Sequence, residues 1–319
     1  MRLIICWCVM AVLLFLGFRE AEAIGRFSYI SLRYATPISG QTAFVARQYA
    51  ISNGEDNIFW PTFWREDMAK LNDLYVNMLS FSGDATLVWP AYYIAGTAPG
   101  VVDGHGIAVS ETLAHRFWGS IDIIGMPVYV DGSPRVVRGI FKGRAELALL
   151  PFHIEDITQS WTGVELAGAT RHASRSSVVS FAQAAGLGMP DTIITSGVHV
   201  LASFMALFPV GLLAVFGVVM LIKHMRVYYS WLLLGALVVF ALCLPFLLDL
   251  LPPQFIPNRW SDFSFWSALA GQAGESMREF LGVKPTLRDV EIRVHLVRQT
   301  GVLIAGVMLC AGGVIMFKG

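Results

Sequence analysis

Gly106-Ile107-Ala108-Val109-Ser110-Glu111-Thr112-Leu113-Ala114-His115-Arg116-Phe117-Trp118-Gly119-Ser120 reads as a short apolar strand that turns directly into a capped helix. Ser110 stands where an N-cap is needed, because its hydroxyl can accept from a first-turn amide that has no partner inside the helix. Glu111 follows at the positive end of the helix dipole. Leu113, Ala114, Phe117 and Trp118 hold helical spacing, and Gly119 is the glycine that lets the chain leave through a left-handed turn. Upstream, Gly104-His105-Gly106 reads as a turn entering the strand. Downstream, Ile124-Gly125 leads into residues 127–130, a tight turn at Asp131-Gly132, and an alternating run over 135–141, which together spell a β-hairpin. This part of the chain is therefore a mixed α/β (α+β) domain. A further amphipathic helix is expected over 65–79, from Met68, Leu71, Leu74 or Tyr75, and Met78.

The chain around this domain is of different material. Of 319 residues, 55% are hydrophobic and only 14% charged, against about 25% charged in a soluble domain. Lys plus Arg number 23 and Asp plus Glu number 23, so no basic footprint for nucleic acid exists. The apolar excess lies in residues 3–18, 198–222, 230–251 and 301–317, where Asp249 is the single formal charge. A helix needs roughly 20 apolar residues to cross a hydrocarbon core of about 30 Å. The chain reads as a membrane protein with four transmembrane α-helices and one large extracytoplasmic domain. All 4 cysteines fall inside those stretches, at Cys6, Cys8, Cys243 and Cys310, so the polar part has neither a disulfide framework nor a cysteine zinc site.

Residues 1–23 read as an N-terminal anchor, although Arg2 ahead of the apolar run and Ala21-Glu22-Ala23 after it also fit a cleavable signal peptide. Residues 24–189 form the outer domain. Residues 190–229 carry the second span, with Pro190 starting a helix that continues unbroken to Met225 as a stalk, and a short loop. The third span is 230–251, an outer helical segment fills 252–300, and the fourth span is 301–319. Lys223, His224 and Arg226 make the 223–229 loop dense in positive charge and place it in the cytoplasm. In the outer segment Trp266, Ala270, Ala273, Met277 and Phe280 repeat at helical spacing. Leu287, Val290, Val294 and Val297 do the same after Pro285 and run straight into the fourth span.

Catalytic motifs are scarce. There is no G-x-x-x-x-G-K-[ST] phosphate loop, no H-E-x-x-H pair and no G-x-S-x-G elbow. Asp103 with His105 is two ligands in a glycine turn, Ser196 with His199 suits a helix start, and Asp249 is a lone carboxylate near a helix end. The expectation is a protein with no catalytic centre, metal or cofactor of its own. Gly301, Ala305, Gly306 and Cys310 give the fourth span small residues four apart, a face for helix packing within the chain or across a dimer.

Residues 106–142 resemble the MacB-like periplasmic core domain of ABC transporter permeases, the MacB/FtsX type. The pattern "vlSe-x-lA-x-x-lfG", then "iGk", then a hairpin ending "VvGv", is met by Ser110, Glu111, Leu113, Ala114, Phe117, Gly119, Gly125, Asp131, Gly132, Val136, Val137, Gly139 and Ile140. The order of one span before the domain and three after it agrees with that family. The resemblance implies a permease subunit in the cell membrane that works with a separate ABC ATP-binding subunit. It also implies a homo- or heterodimer of permeases, and motion passed to the outer domain through the first two helices. Lys223, His224 and Arg226 would lie on the coupling loop, which leaves barely two turns for a coupling helix. The alternative is a membrane-anchored scaffold or sensor that uses the same outer domain without transport.

Overall fold

A computed structural model describes residues 2–28, 30–53, 59–100, 103–153, 155–168, 175–209 and 263–316. The chain divides into two compact units: a helical unit of Met1–Gly25, Gly197–Met277 and Glu291–Gly319, and a sheet unit of Arg26–Ser196 with Arg278–Val290. The sheet unit thus continues past residue 189 to Ser196 and takes in thirteen residues from the segment before the last span.

Ten described strands make one sheet. They are β1 (Ser31–Ser39), β2 (Trp60–Leu71), β3 (Leu74–Ser82), β4 (Tyr93–Gly96), β5 (Gly106–Ser110), β6 (Pro127–Val130), β7 (Ser133–Phe141), β8 (Leu147–Pro151), β9 (Ser160–Ala167) and β10 (Thr192–Ile194). Their order is β10-β1-β9-β2-β3-β8-β5-β7-β4, with β6 pairing β2 and β7. The β3–β8 and β5–β7 pairs are parallel and the others antiparallel. Every residue of β5 and β8 is buried, as central strands covered on both faces require.

On one face α2 (Gly40–Ser52) and α5 (Arg175–Ala184) pack against Leu32, Phe63, Trp161 and Val164. Farther along the same alternation α4 (Glu111–Trp118) lays Leu113 and Ala114 on Ile107, Val109, Met78 and Ala148. On the opposite face α3 (Ala85–Val88) covers Trp64, Leu79, Phe81 and Leu149.

Two expectations fail here. The helix over 65–79 is the β2–β3 hairpin, closed by Asn72 and Asp73 between paired Leu71 and Leu74. Asn72 takes φ 50°, and its amide and side-chain oxygen bond Tyr129 in β6 at 2.7 and 3.0 Å. Ala69, Leu71, Val76 and Met78 point inward, whereas Met68 and Tyr75 are 67% and 68% exposed. Leu71 and Met78 fit a helical and a strand period equally; the two-residue turn and the sheet neighbours decide for strand. The second correction concerns Pro190. No helix starts there, because β10 pairs with β1 and Asp191 holds that edge, its amide donating to the Arg33 carbonyl at 3.0 Å and its carboxylate accepting from the Ala35 amide at 2.7 Å. The next helix, α6 (Gly197–Pro209), begins seven residues later, so the continuous stalk from 190 is absent.

In the helical unit, α1 (Arg2–Gly25) contains the first apolar stretch, and α7 (Phe263–Gly282) and α8 (Leu287–Met316) form where the sequence places helices. Val200 of α6 packs with Ala273 and Leu269 of α7. Gln299 donates to the Ala202 carbonyl at 2.5 Å, and His295 meets Glu20 of α1 at 2.5 Å. The apolar face of α8 differs from the expected one: Ile292 and Leu296 are buried while Val290 and Val297 are exposed, since a helix apolar around much of its circumference does not select one face by period alone. Among the described residues one helical stretch, Leu287–Leu309, is long and apolar enough to cross a membrane. Residues 210–262 lie outside the described residues, and with them the loop of Lys223, His224 and Arg226, the third span and Asp249.

Candidate functional site

The motif of residues 106–142 folds as it reads. Ser110 is extended at φ −68° and ψ 152°, and its Oγ accepts from the amides of Leu113 at 3.3 Å and Leu147 at 3.2 Å. One buried hydroxyl thus caps α4 and ties it to β8. Glu111 occupies the first turn, Leu113 and Ala114 are fully buried, and Phe117 packs at the rim of that core. Gly119 closes the helix at φ 66°, donating to the His115 carbonyl at 2.9 Å. Gly125 turns at φ 84° and donates to the Val137 carbonyl. Asp131 and Gly132 both take positive φ, 46° and 81°, which a two-residue hairpin turn demands. The Asp131 carboxylate also accepts from the Lys70 amide at 2.9 Å. Gly139 follows a bulge at Arg138, where the β5–β7 register shifts. These residues build the frame and bring no reactive group together. Ser110→Ala is expected to cost about 2–4 kcal/mol, combining a lost cap of about 1 kcal/mol with an unpaired buried Leu147 amide at about 1–3 kcal/mol. Denaturant unfolding of the detergent-solubilised chain measures it, and a loss of only a few tenths would mean that neither amide depends on the hydroxyl.

The chemistry missed by the sequence lies on the other face of the sheet. In the row β1–β9–β2, Ser31 and Thr62 both stand opposite Glu165, and in the next row Arg33 and Trp64 both stand opposite Gly163. Glu165 is wholly buried and accepts from Ser28 Oγ at 2.5 Å, Ser31 Oγ at 2.7 Å and Trp64 Nε1 at 2.8 Å. Trp64 lies across Gly163, where a side chain would have no room, and the Arg33 guanidinium stacks on its ring at 4.4 Å. Into this socket come two residues of α8. Arg288 reaches Glu165 through Nη1 at 3.0 Å and donates from Nε to the Val88 carbonyl at 3.1 Å. Asp289 pairs with Arg33 Nη2 at 2.8 Å.

The first turn of α8 is capped twice. Thr286 donates to Asp289 from its amide and hydroxyl, and its oxygen accepts from the Asp289 amide at 3.3 Å, a reciprocal capping box. Glu66 accepts from the Leu287 amide at 2.7 Å. Burial pushes the Glu66 carboxyl above its ordinary range, a shift that the bond from Leu287 opposes.

Beside this network lies a cleft of about 650 Å³, lined among others by Arg33, Tyr34, Trp64, Asp191, Lys284 and Thr286. Elsewhere, the Asp103 carboxylate is held by Arg138 Nε at 2.7 Å and by the His105 amide at 3.3 Å. These bonds close the turn before β5. Among the described residues no group of three or more His, Cys, Asp or Glu is placed to hold a metal. Ser196 lies just before α6 and His199 within its first turn, buried.

No protein-family model and no curated protein matches the chain. Solved structures do. The chain is similar to the periplasmic region of MacB from Actinobacillus actinomycetemcomitans, with 10% identity over 52% of this chain and 87% of that one, at a TM-score of 0.42. It is also similar to the extracellular domain of the noncanonic ABC-type transporter YknZ from Gram-positive bacteria, with 13% identity over 50% of this chain and 90% of that one, at a TM-score of 0.37.

Proposed function

We propose that this chain is a permease-like membrane subunit of an ABC-type transporter. In this role it carries motion, generated by a separate ATP-binding subunit, to an extracytoplasmic sheet domain that acts on an export or envelope process. The observation that carries the reading is the segment 106–142, in which Ser110 caps the helix, Gly119 and Gly125 take left-handed turns, Asp131-Gly132 forms the hairpin turn, and Leu113, Ala114 and Phe117 pack on the core. The set joins strand, helix and hairpin in one continuous segment. The chain itself supplies no catalytic step, metal or cofactor in this proposal; its partners are the ATP-binding subunit, a second permease and the bilayer.

The test is affinity purification of the full chain, solubilised in mild detergent from its own cells, with a Cys label placed in the 223–229 loop. A nucleotide-binding subunit is expected to co-purify in near-stoichiometric amount and to shield the label. Absence of any nucleotide-binding protein, together with a label equally reactive in membranes and after purification, overturns the proposal in favour of a scaffold or sensor.

A further inference from the structure

We infer that residues 278–290 are a releasable latch, in which Arg288 and Asp289 on the first turn of α8 plug a socket made by Glu165 and Arg33. The inference deepens the motion-transmitting role proposed above, and it is tested without any ATP-binding subunit, so either can fail alone.

Four observations lead to it. The Glu165 half of the socket does not depend on the plug, because Ser28, Ser31 and Trp64 give its carboxylate three donors, whereas Arg33 takes its carboxylate partner from Asp289. A buried carboxylate so provided for keeps its partners when Arg288 leaves, and its face is shaped for a guanidinium on return. The plug carries buried charge: Arg288 and Asp289 are 2% and 1% exposed, Phe280 and the partly buried Leu287 are the segment's apolar anchors, and Leu281 is 55% exposed. Desolvation of buried ion pairs offsets much of their attraction, so they specify a position more than they deepen it. Part of the segment lines open space, since Gly282, Val283, Lys284 and Thr286 face the cleft of about 650 Å³, while Glu279 pairs with Arg175 of α5. Finally, the connector between the two helices is short and open. A side chain added at Gly282 would touch nothing within 4 Å, and only four residues separate the end of α7 from the start of α8.

Chain continuity gives the latch its consequence. Residues 287–290 of α8 belong to the sheet unit and the rest of the helix, on to Met316, to the helical unit. The latch would therefore act on the first turn of a helix that continues to Met316. Glu165 and Arg33 sit on neighbouring strands, and a small shear of β1 against β9 would separate the two anchor points of the plug.

Hydrogen exchange of the full chain in lipid nanodiscs tests this, comparing the wild type with Glu165→Gln and Asp289→Asn. In the wild type the amides of 278–290 are expected to exchange faster than those of β3, as a unit that opens below global unfolding does. In each variant they should speed up at least tenfold, while the amides of β3 and β8 stay within twofold of wild type. Exchange of 278–290 in step with β3 in the wild type overturns the inference, because the segment is then a fixed part of the core. Equal exchange of 278–290 in the wild type and both variants overturns it too, as the plug would not be what holds the segment. Should Glu165→Gln fail to fold, the wild-type comparison and Asp289→Asn decide the matter.

Discussion

Trp64→Ala is expected to lower the unfolding free energy of the sheet unit by about 3–5 kcal/mol, the range for removing a fully buried large aromatic. Trp64 is 1% exposed, and three separate dependencies meet on it. Its ring fills the space above Gly163, it supports the Arg33 guanidinium, and its Nε1 donates to Glu165. Trp64→Phe separates these, since an aromatic ring remains and the donor is lost; a hydrogen bond to a buried carboxylate is worth about 1.5–3 kcal/mol. Chemical denaturation of the detergent-solubilised chain, followed by loss of the near-ultraviolet signal of the buried tryptophans, reads both variants. If Trp64→Phe is as stable as the wild type, Ser28, Ser31 and Arg288 suffice for Glu165 and the indole N–H adds nothing.

Gly139→Ala is expected to cost about 3 kcal/mol or more, at the upper end for forcing a methyl into a packed interior. A β-carbon there would stand 2.2 Å from the Thr97 carbonyl oxygen and 2.8 Å from the Tyr93 ring. The first obstacle is backbone, and no rotamer change relieves it. Gly96, its partner across the β4–β7 pair, has φ 65° and would itself place a β-carbon 2.0 Å from the Arg138 carbonyl oxygen. Two glycines therefore face each other where the edge strand approaches the bulge. Exchange protection should disappear first from β4, with α4 and its Ser110 cap keeping theirs. A variant with full protection at β4 and wild-type stability would show that the edge strand yields at no cost.

What the sequence disclosed and what it hid divide along a physical line. Ser110, Gly119, Asp131 and Gly132 each answer a local demand, a cap or a positive φ, that neighbouring residues alone create, and all four were legible. The strand nature of 65–79 was not, since Leu71 and Met78 suit either period and the deciding partners, β9 at Trp64 and β6 at Leu71, are remote in the chain. Pro190 misled for a related reason, being a good helix starter whose following residues were claimed by the edge of β1. The Glu165 socket was the least legible. Its members, Ser28, Ser31, Arg33, Trp64, Glu165, Arg288 and Asp289, are scattered over most of the chain and form no spacing motif. One weak signal existed, in that Arg288-Asp289 sits as adjacent opposite charges at the head of an apolar helix.

The sheet unit is written in two instalments, and that sets an order of manufacture. About 80 residues, Gly197–Met277, separate its two pieces in the chain. At about 5–20 residues added per second, a ribosome takes roughly 4–16 s to cover them. During that interval the nascent sheet holds Glu165 with its hydroxyl and indole donors but without its cation. A fragment ending at residue 196 would stay in that condition permanently, and a premature stop anywhere before Arg288 would leave that carboxylate on its neutral donors alone in a domain whose own 171 residues were intact.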